Sequence, residues 1–75
     1  MRQDPSDEDI LAMLPNSVPD MVHSWWKEDQ LSEPLYEQKL HLLQRRMKSL
    51  EKTGRAFSIG HMYERGVKKK LWVRT

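Results

Sequence analysis

The stretch "LQRRMKSLEKTGRAFSIG", residues 43–60, contains the point at which the periodicity of the chain changes. Upstream of its first glycine, Tyr36, Leu40, Leu43, Met47 and Leu50 recur at intervals of four, three, four and three, which places them on one face of a helix near 33–53. Ser32 and Pro34 mark its start. Lys52 suits the negative end of the helix dipole, and Gly54 suits the left-handed position that closes a helix. Downstream, the period becomes two: Phe57, Ile59, His61 and Tyr63 alternate with small or polar residues. "ERG" interrupts, and Val67, Leu71 and Val73 then alternate with Lys68, Lys70, Trp72 and Arg74. A three-residue turn ending at Gly66 pairs Tyr63 with Val67, Ile59 with Leu71 and Phe57 with Val73. That register puts all three pairs on one face and predicts a hairpin near 55–74 with an apolar base.

The N-terminal half reads as two shorter helices. Ser6 and Asp9 have the spacing of a capping box, with Ile10, Leu11 and Leu14 following at helical intervals until Pro15, so a first helix is expected near 7–14. Ser17 and Asp20 repeat that logic with Pro19 in a first turn, and Met21, Val22, Trp25 and Trp26 form an apolar stripe to about Lys27. Residues 1–5, "MRQDP", read as a flexible start. No alternating run separates the first two helices, which leaves a sheet of two strands. Neighbouring tryptophans point 100° apart on a helix, so only one of the pair can face inward; Trp25 is assigned to the core and the other to a rim. Leu42 falls off the buried stripe and, beside an outward tryptophan, offers a homodimer patch. The expected architecture is α+β: one domain over 6–75, built of three helices followed by a C-terminal β-hairpin.

A chain of 75 residues supports one small core. It has no cysteine, so it forms no disulfide and no thiolate site, in keeping with a reducing compartment. The opening residues hold no apolar leader segment and no 18-residue apolar run occurs, which argues against secretion and membrane spanning. A cytoplasmic, nucleoid-associated or nuclear location is expected. The formal net charge of +2 conceals a strong polarity: residues 1–38 carry two basic and nine acidic side chains (−7), residues 39–75 eleven and two (+9). Such a split suits a phosphate-binding face at the C-terminal end. The competing reading is that the two halves neutralise each other in the fold.

Projection of the third helix puts Gln38, His41, Arg45, Lys48, Ser49 and Lys52 opposite the buried face, with Arg46 on the flank. This side bears hydrogen-bonding heads and no acid. Glutamine can read adenine and arginine guanine in a major groove, whereas Lys48 and Lys52 suit phosphate. The hairpin tip adds His61, Arg65, Lys68, Lys69 and Lys70. Two helices, a long basic helix and a basic hairpin, in that order, resemble the winged helix-turn-helix family of DNA-binding domains. The likeness is best over 35–75, where "LQRRMKSLEKTGRAFSIG" looks like a recognition helix entering a wing and "KKKLWVRT" like the returning strand. By that resemblance Gln38, His41 and Arg45 face the major groove, while Arg65, Lys68 and Lys70 touch flanking backbone or a minor groove. It implies a sequence-specific binder of double-stranded DNA, a transcriptional regulator of phage- or plasmid-like brevity, with a DNA-contacting set completed by Arg46, Lys48, Lys52 and Lys69.

Other chemistries find less in the sequence. His23, His41 and His61 lie on three elements without ligand spacing, so no metal is expected. Gly54, Gly60 and Gly66 form no phosphate-cradling loop and no serine sits in a nucleophile elbow, so neither an enzyme nor a cofactor is expected. One alternative is a protein-interaction module using the acidic half or the exposed tryptophan–leucine surface. Another is single-strand or RNA binding through His61, Tyr63 and Trp72.

Overall fold

Ser6 starts the first helix as its capping-box spacing predicts. Its hydroxyl accepts from the Asp9 backbone N–H at 3.1 Å, and its own N–H donates to the Asp9 carboxylate at 2.9 Å. In the computed structural model, which describes residues 1–75, the elements run α1 (Asp7–Ala12), β1 (Asn16–Ser17), α2 (Val18–Trp25), a 3₁₀ turn (Lys27–Asp29), α3 (Glu33–Lys52), β2 (Ala56–Glu64) and β3 (Val67–Arg74). The fold is α+β: three helices and a three-stranded antiparallel sheet in the order β1-β3-β2. This order is compatible with a winged-helix arrangement.

The third strand corrects the expectation of a two-stranded sheet. Asn16 pairs with Trp72 and Ser17 with Leu71. Two residues are too few to alternate, so the segment carries no strand signal of its own. Ser17 is fully buried and does two jobs: it extends the sheet, and its side chain caps α2 by accepting from the Asp20 N–H at 3.3 Å. α2 thus starts directly off the sheet.

α3 closes as its sequence suggests. Gly54 adopts φ +76°, its N–H donates to the Glu51 carbonyl at 3.0 Å, and the Arg55 N–H reaches the Leu50 carbonyl at 2.9 Å. This pair of bonds satisfies carbonyls that the helix end would otherwise leave open. Leu43, Met47 and Leu50 are buried against Ile10, Leu11, Met21, Val22, Ala56 and Trp72.

Three side-chain placements differ from expectation. Trp26, 2 % exposed, is the core tryptophan. Trp25 is partly buried beside it, covered by the Arg2 guanidinium 3.5 Å from its ring centre. Leu42, like Trp25, is partly buried against the core. Residues 1–5 lie against the two tryptophans. The Trp25 indole donates to the Gln3 carbonyl at 2.7 Å, the Trp26 indole to the Arg2 carbonyl at 3.1 Å, and Pro5 is buried. An indole N–H packed against protein needs an acceptor, and the N-terminal backbone supplies one to both.

The hairpin register also departs from expectation. Arg65 and Gly66 both have positive φ, +51° and +77°, and form a two-residue turn that pairs Glu64 with Val67 and Tyr63 with Lys68. Left-handed turns of this kind match the twist of the strands they join. A bulge between Ser58 and Gly60 then takes up one residue, Ile59, and restores the expected Phe57–Val73 pair at the base. Trp72, from the alternate set, packs into the core with Ala56. Phe57, Ile59, Tyr63 and Val67 remain 44, 57, 70 and 55 % exposed.

Candidate nucleic-acid interface

α3 and the hairpin leave a cleft between them. Gln44 and Lys48 line it from the helix, Lys68, Lys69 and Lys70 from β3, Val18 and Pro19 from the start of α2, and Trp72 sits at its base. Its volume is about 280 Å³. Helical phase explains the helix wall, since residues four apart share a face. The hairpin wall follows from the burial of Trp72, which holds β3 against the helices and brings its lysine run alongside α3.

The cations of this cleft differ in their freedom. Lys48, Lys68 and Lys70 take part in no ion pair. The Lys70 ammonium stands 4.6 Å from the Trp72 ring centre, over a surface that attracts positive charge. Lys69 is neutralised: it lies 3.2 Å from an Asp20 oxygen and 3.6 Å from a Glu64 oxygen. The Ser17 hydroxyl, donating at 2.8 Å, holds the Asp20 carboxyl below the usual carboxylate range, and Lys69 reinforces this against partial desolvation. The Asp20 hydrogen bond in turn raises the Lys69 ammonium above its ordinary value.

On the outer side of α3, Gln38, His41 and Arg45 line a shallow hollow with Lys39 and Leu42. His41 Nε2 lies 3.6 Å from Glu37, one turn earlier, so this face carries an acid on its margin. Lys52 is exposed at the end of α3 and Arg65 at the hairpin turn; neither makes an ion pair. The structure therefore brings Lys48, Lys68, Lys69 and Lys70 into one cleft and places Gln38, His41 and Arg45 on the adjacent helix face.

Arg46 departs from this group. On the opposite flank of α3 it donates to Asp7 at 2.7 Å and to the Pro5 carbonyl at 2.9 Å. Lys39 pairs with Asp4 at 2.8 Å, and Arg55 donates to Glu8. The acidic opening thus neutralises one flank of the basic half and leaves the other flank open. Arg46 follows Arg45 by 100° of helix, and that turn separates an anchored cation from a free one.

Sequence reasoning missed Gln44 and the start of α2. Gln44 precedes Lys48 by one turn, so its place beside Lys48 could be read from the helix. That the hairpin would face this pair could not, because the approach depends on which strand face is buried. A larger hollow of about 950 Å³ lies between α2 and the start of α3, with Asp20 and Glu33 in its lining and Lys27 as its one lysine, a charge balance unsuited to a polyanion. No group of three or more His, Cys, Asp or Glu side chains is placed to hold a metal, and no helix is long and apolar enough to cross a membrane. Compared with known proteins, the chain matches no family model, no curated protein and no solved structure.

Proposed function

We propose that this chain is a winged-helix protein that binds double-stranded DNA and acts as a small transcriptional regulator, at the nucleoid or in a nucleus. The observation that carries this reading is the cleft in which unpaired Lys48 faces unpaired Lys68 and Lys70 across the gap between α3 and the hairpin. Two cationic walls set apart in this way suit a sugar–phosphate strand running between them. The helix face bearing Gln38, His41 and Arg45 continues from one wall and is the part suited to base edges. Gln44, at the junction, can serve either role. Arg46 is withdrawn from the expected set because Asp7 and Pro5 occupy its donors, and Lys69 orders β3 against α2 rather than meeting DNA.

Counterion release supplies the test. Fluorescence anisotropy with random duplex pools at about 50–200 mM salt should give a steep inverse dependence of affinity on salt. The Lys48→Ala/Lys68→Ala double variant should reduce the log–log slope by roughly 1.8, or about 0.9 for each phosphate contact removed. Absence of duplex binding at the lowest salt defeats the proposal, and equal or better binding of single strands transfers it to RNA or single-stranded DNA.

A further inference from the structure

We propose that β2 is a self-association edge: two copies of this chain pair their β2 strands antiparallel across a two-fold axis, joining both sheets into one. This inference does not depend on the DNA reading. β2 lies at the outside of the sheet order β1-β3-β2, so no strand covers its far side. An open strand edge invites pairing, and monomeric proteins usually guard it with lysine, proline or an inward charge. From Ala56 to Tyr63 there is no lysine, arginine, proline, aspartate or glutamate, in a chain that is 32 % charged. Glu64 ends the strand with a charge; within Ala56–Tyr63 the one edge-disrupting device is the bulge, and it presents Ile59, an apolar side chain.

The charge layout favours a second copy as the occupant. The nearest cationic run, Lys68–Lys70, lies on β3, behind β2. When β2 meets β2, the two β3 strands stand three strand spacings apart, about 14 Å. That exceeds a screening length of about 8 Å at physiological salt, so the lysine runs do not oppose association. A two-fold axis also sets the same stretch, Ala56–Tyr63, which carries no lysine, arginine, aspartate or glutamate, against itself, and such an interface closes at two copies.

Area sets the expected strength. The exposed parts of Phe57, Ile59 and Tyr63 on β2 amount to roughly 300 Å² per copy, if a large side chain offers about 150–250 Å² when fully exposed. Doubled, and with the main chain of two strands added, this falls below about 1,200 Å², in the range of weak, transient interfaces. The dimer is therefore reversible and concentration-dependent.

Sedimentation equilibrium of the full chain from about 1 µM to about 1 mM spans the range expected of so small an interface. The apparent mass should rise from 9.0 kDa toward twice that value. Ile59→Lys and Tyr63→Lys, both at exposed positions and so compatible with folding, should each hold the mass at the monomer value, with circular dichroism confirming the fold. Lys48→Ala should leave association intact. Because the chain has no cysteine, His61→Cys supplies a single thiol near the middle of β2, and a short bis-maleimide should link two copies through it but not through Lys27→Cys. A mass that stays at 9.0 kDa throughout, or a dimer indifferent to both lysine variants, overturns the proposal. A monomer whose β2 amides gain exchange protection only in complex with another protein assigns the edge to that protein and also overturns it.

Discussion

The two flanks of α3 carry the same kinds of side chain and use them differently. On one flank Lys39 and Arg46, with Arg55 just beyond the helix, are bound by Asp4, Asp7 and Glu8. On the other, Lys48 and the hairpin's Lys68 and Lys70 have no acidic partner. The first flank anchors the N-terminal segment to the core, with Trp25 and Trp26 holding the backbone of Arg2 and Gln3. The second flank stays open. A cation's role in this protein therefore depends on whether the fold brings a carboxylate to it, and charge totals along the chain do not reveal that.

The largest effect belongs to the anchored flank. Trp26→Ala removes a nearly fully buried indole and should cost about 3–5 kcal/mol, a large share of the total stability of a domain this small. Urea titration followed by far-UV circular dichroism measures it. A loss below about 1 kcal/mol would mean that the N-terminal anchor is not part of the core.

Arg45→Ala tests the open side. Placed on the outer face of α3 and free of ion pairs, Arg45 should contribute about 1–3 kcal/mol to specific DNA binding and preference at one base, with folding stability unchanged. Binding titrations against a library of single-base variants decide it. Its neighbour Arg46 should behave in the opposite way. Arg46→Ala should lower stability by roughly 1.5 kcal/mol through lost charge-assisted hydrogen bonds to Asp7 and Pro5, and should leave the salt slope of DNA binding as it was. If both variants change DNA affinity equally, the contrast between the flanks is wrong.

Ser17→Ala should have the smallest effect, about 1 kcal/mol for a lost helix cap. Its signature is in acid. Asp20 and Asp9 titrate below their ordinary value, Asp20 chiefly through the Ser17 hydroxyl and Asp9 chiefly through the Ser6 backbone N–H. A depressed folded-state value means that the stabilisation is present above about pH 4 and is lost as the pH falls through the folded value. Ser17→Ala should weaken that acid dependence, as should Asp20→Asn. Lys69, raised by Asp20, acts in the opposite direction: its contribution is present below about pH 10.4 and fades only as the pH climbs through the raised value. Thermal melts from pH 2 to 7 would show the acid effect, and an acid limb identical in wild type and both variants would exclude it.

Legibility varied along the chain in a consistent way. The capping box of α1, the cap of α2, the span of α3 and its glycine closure could all be read, because each depends on residues within one or two helical turns. The hairpin was readable as a hairpin, and its base pair Phe57–Val73 was placed correctly, but its tip was not. Arg65 gives no sequence cue for the left-handed conformation that shortens the turn, and a bulge at Ile59 compensates for a shift that local alternation cannot show. β1 was not readable, because a two-residue strand exists only through its partner. For the candidate site, the phase of α3 showed the outward face of Gln38, His41 and Arg45, but the cleft depends on where β3 lies.

The sequence by itself determined where the helices start, the glycine closure of α3 and the change to alternation at Gly54, since caps and periodicity are interactions among near neighbours. The tertiary structure decided which tryptophan is buried, which side of the hairpin packs inward, and which cations stay unpaired. Those outcomes depend on contacts between residues far apart in the chain, such as Trp26 with Arg2, Arg46 with Asp7 and Lys69 with Asp20. Burial and charge pairing act through space, and no local pattern encodes the distance that folding brings to zero.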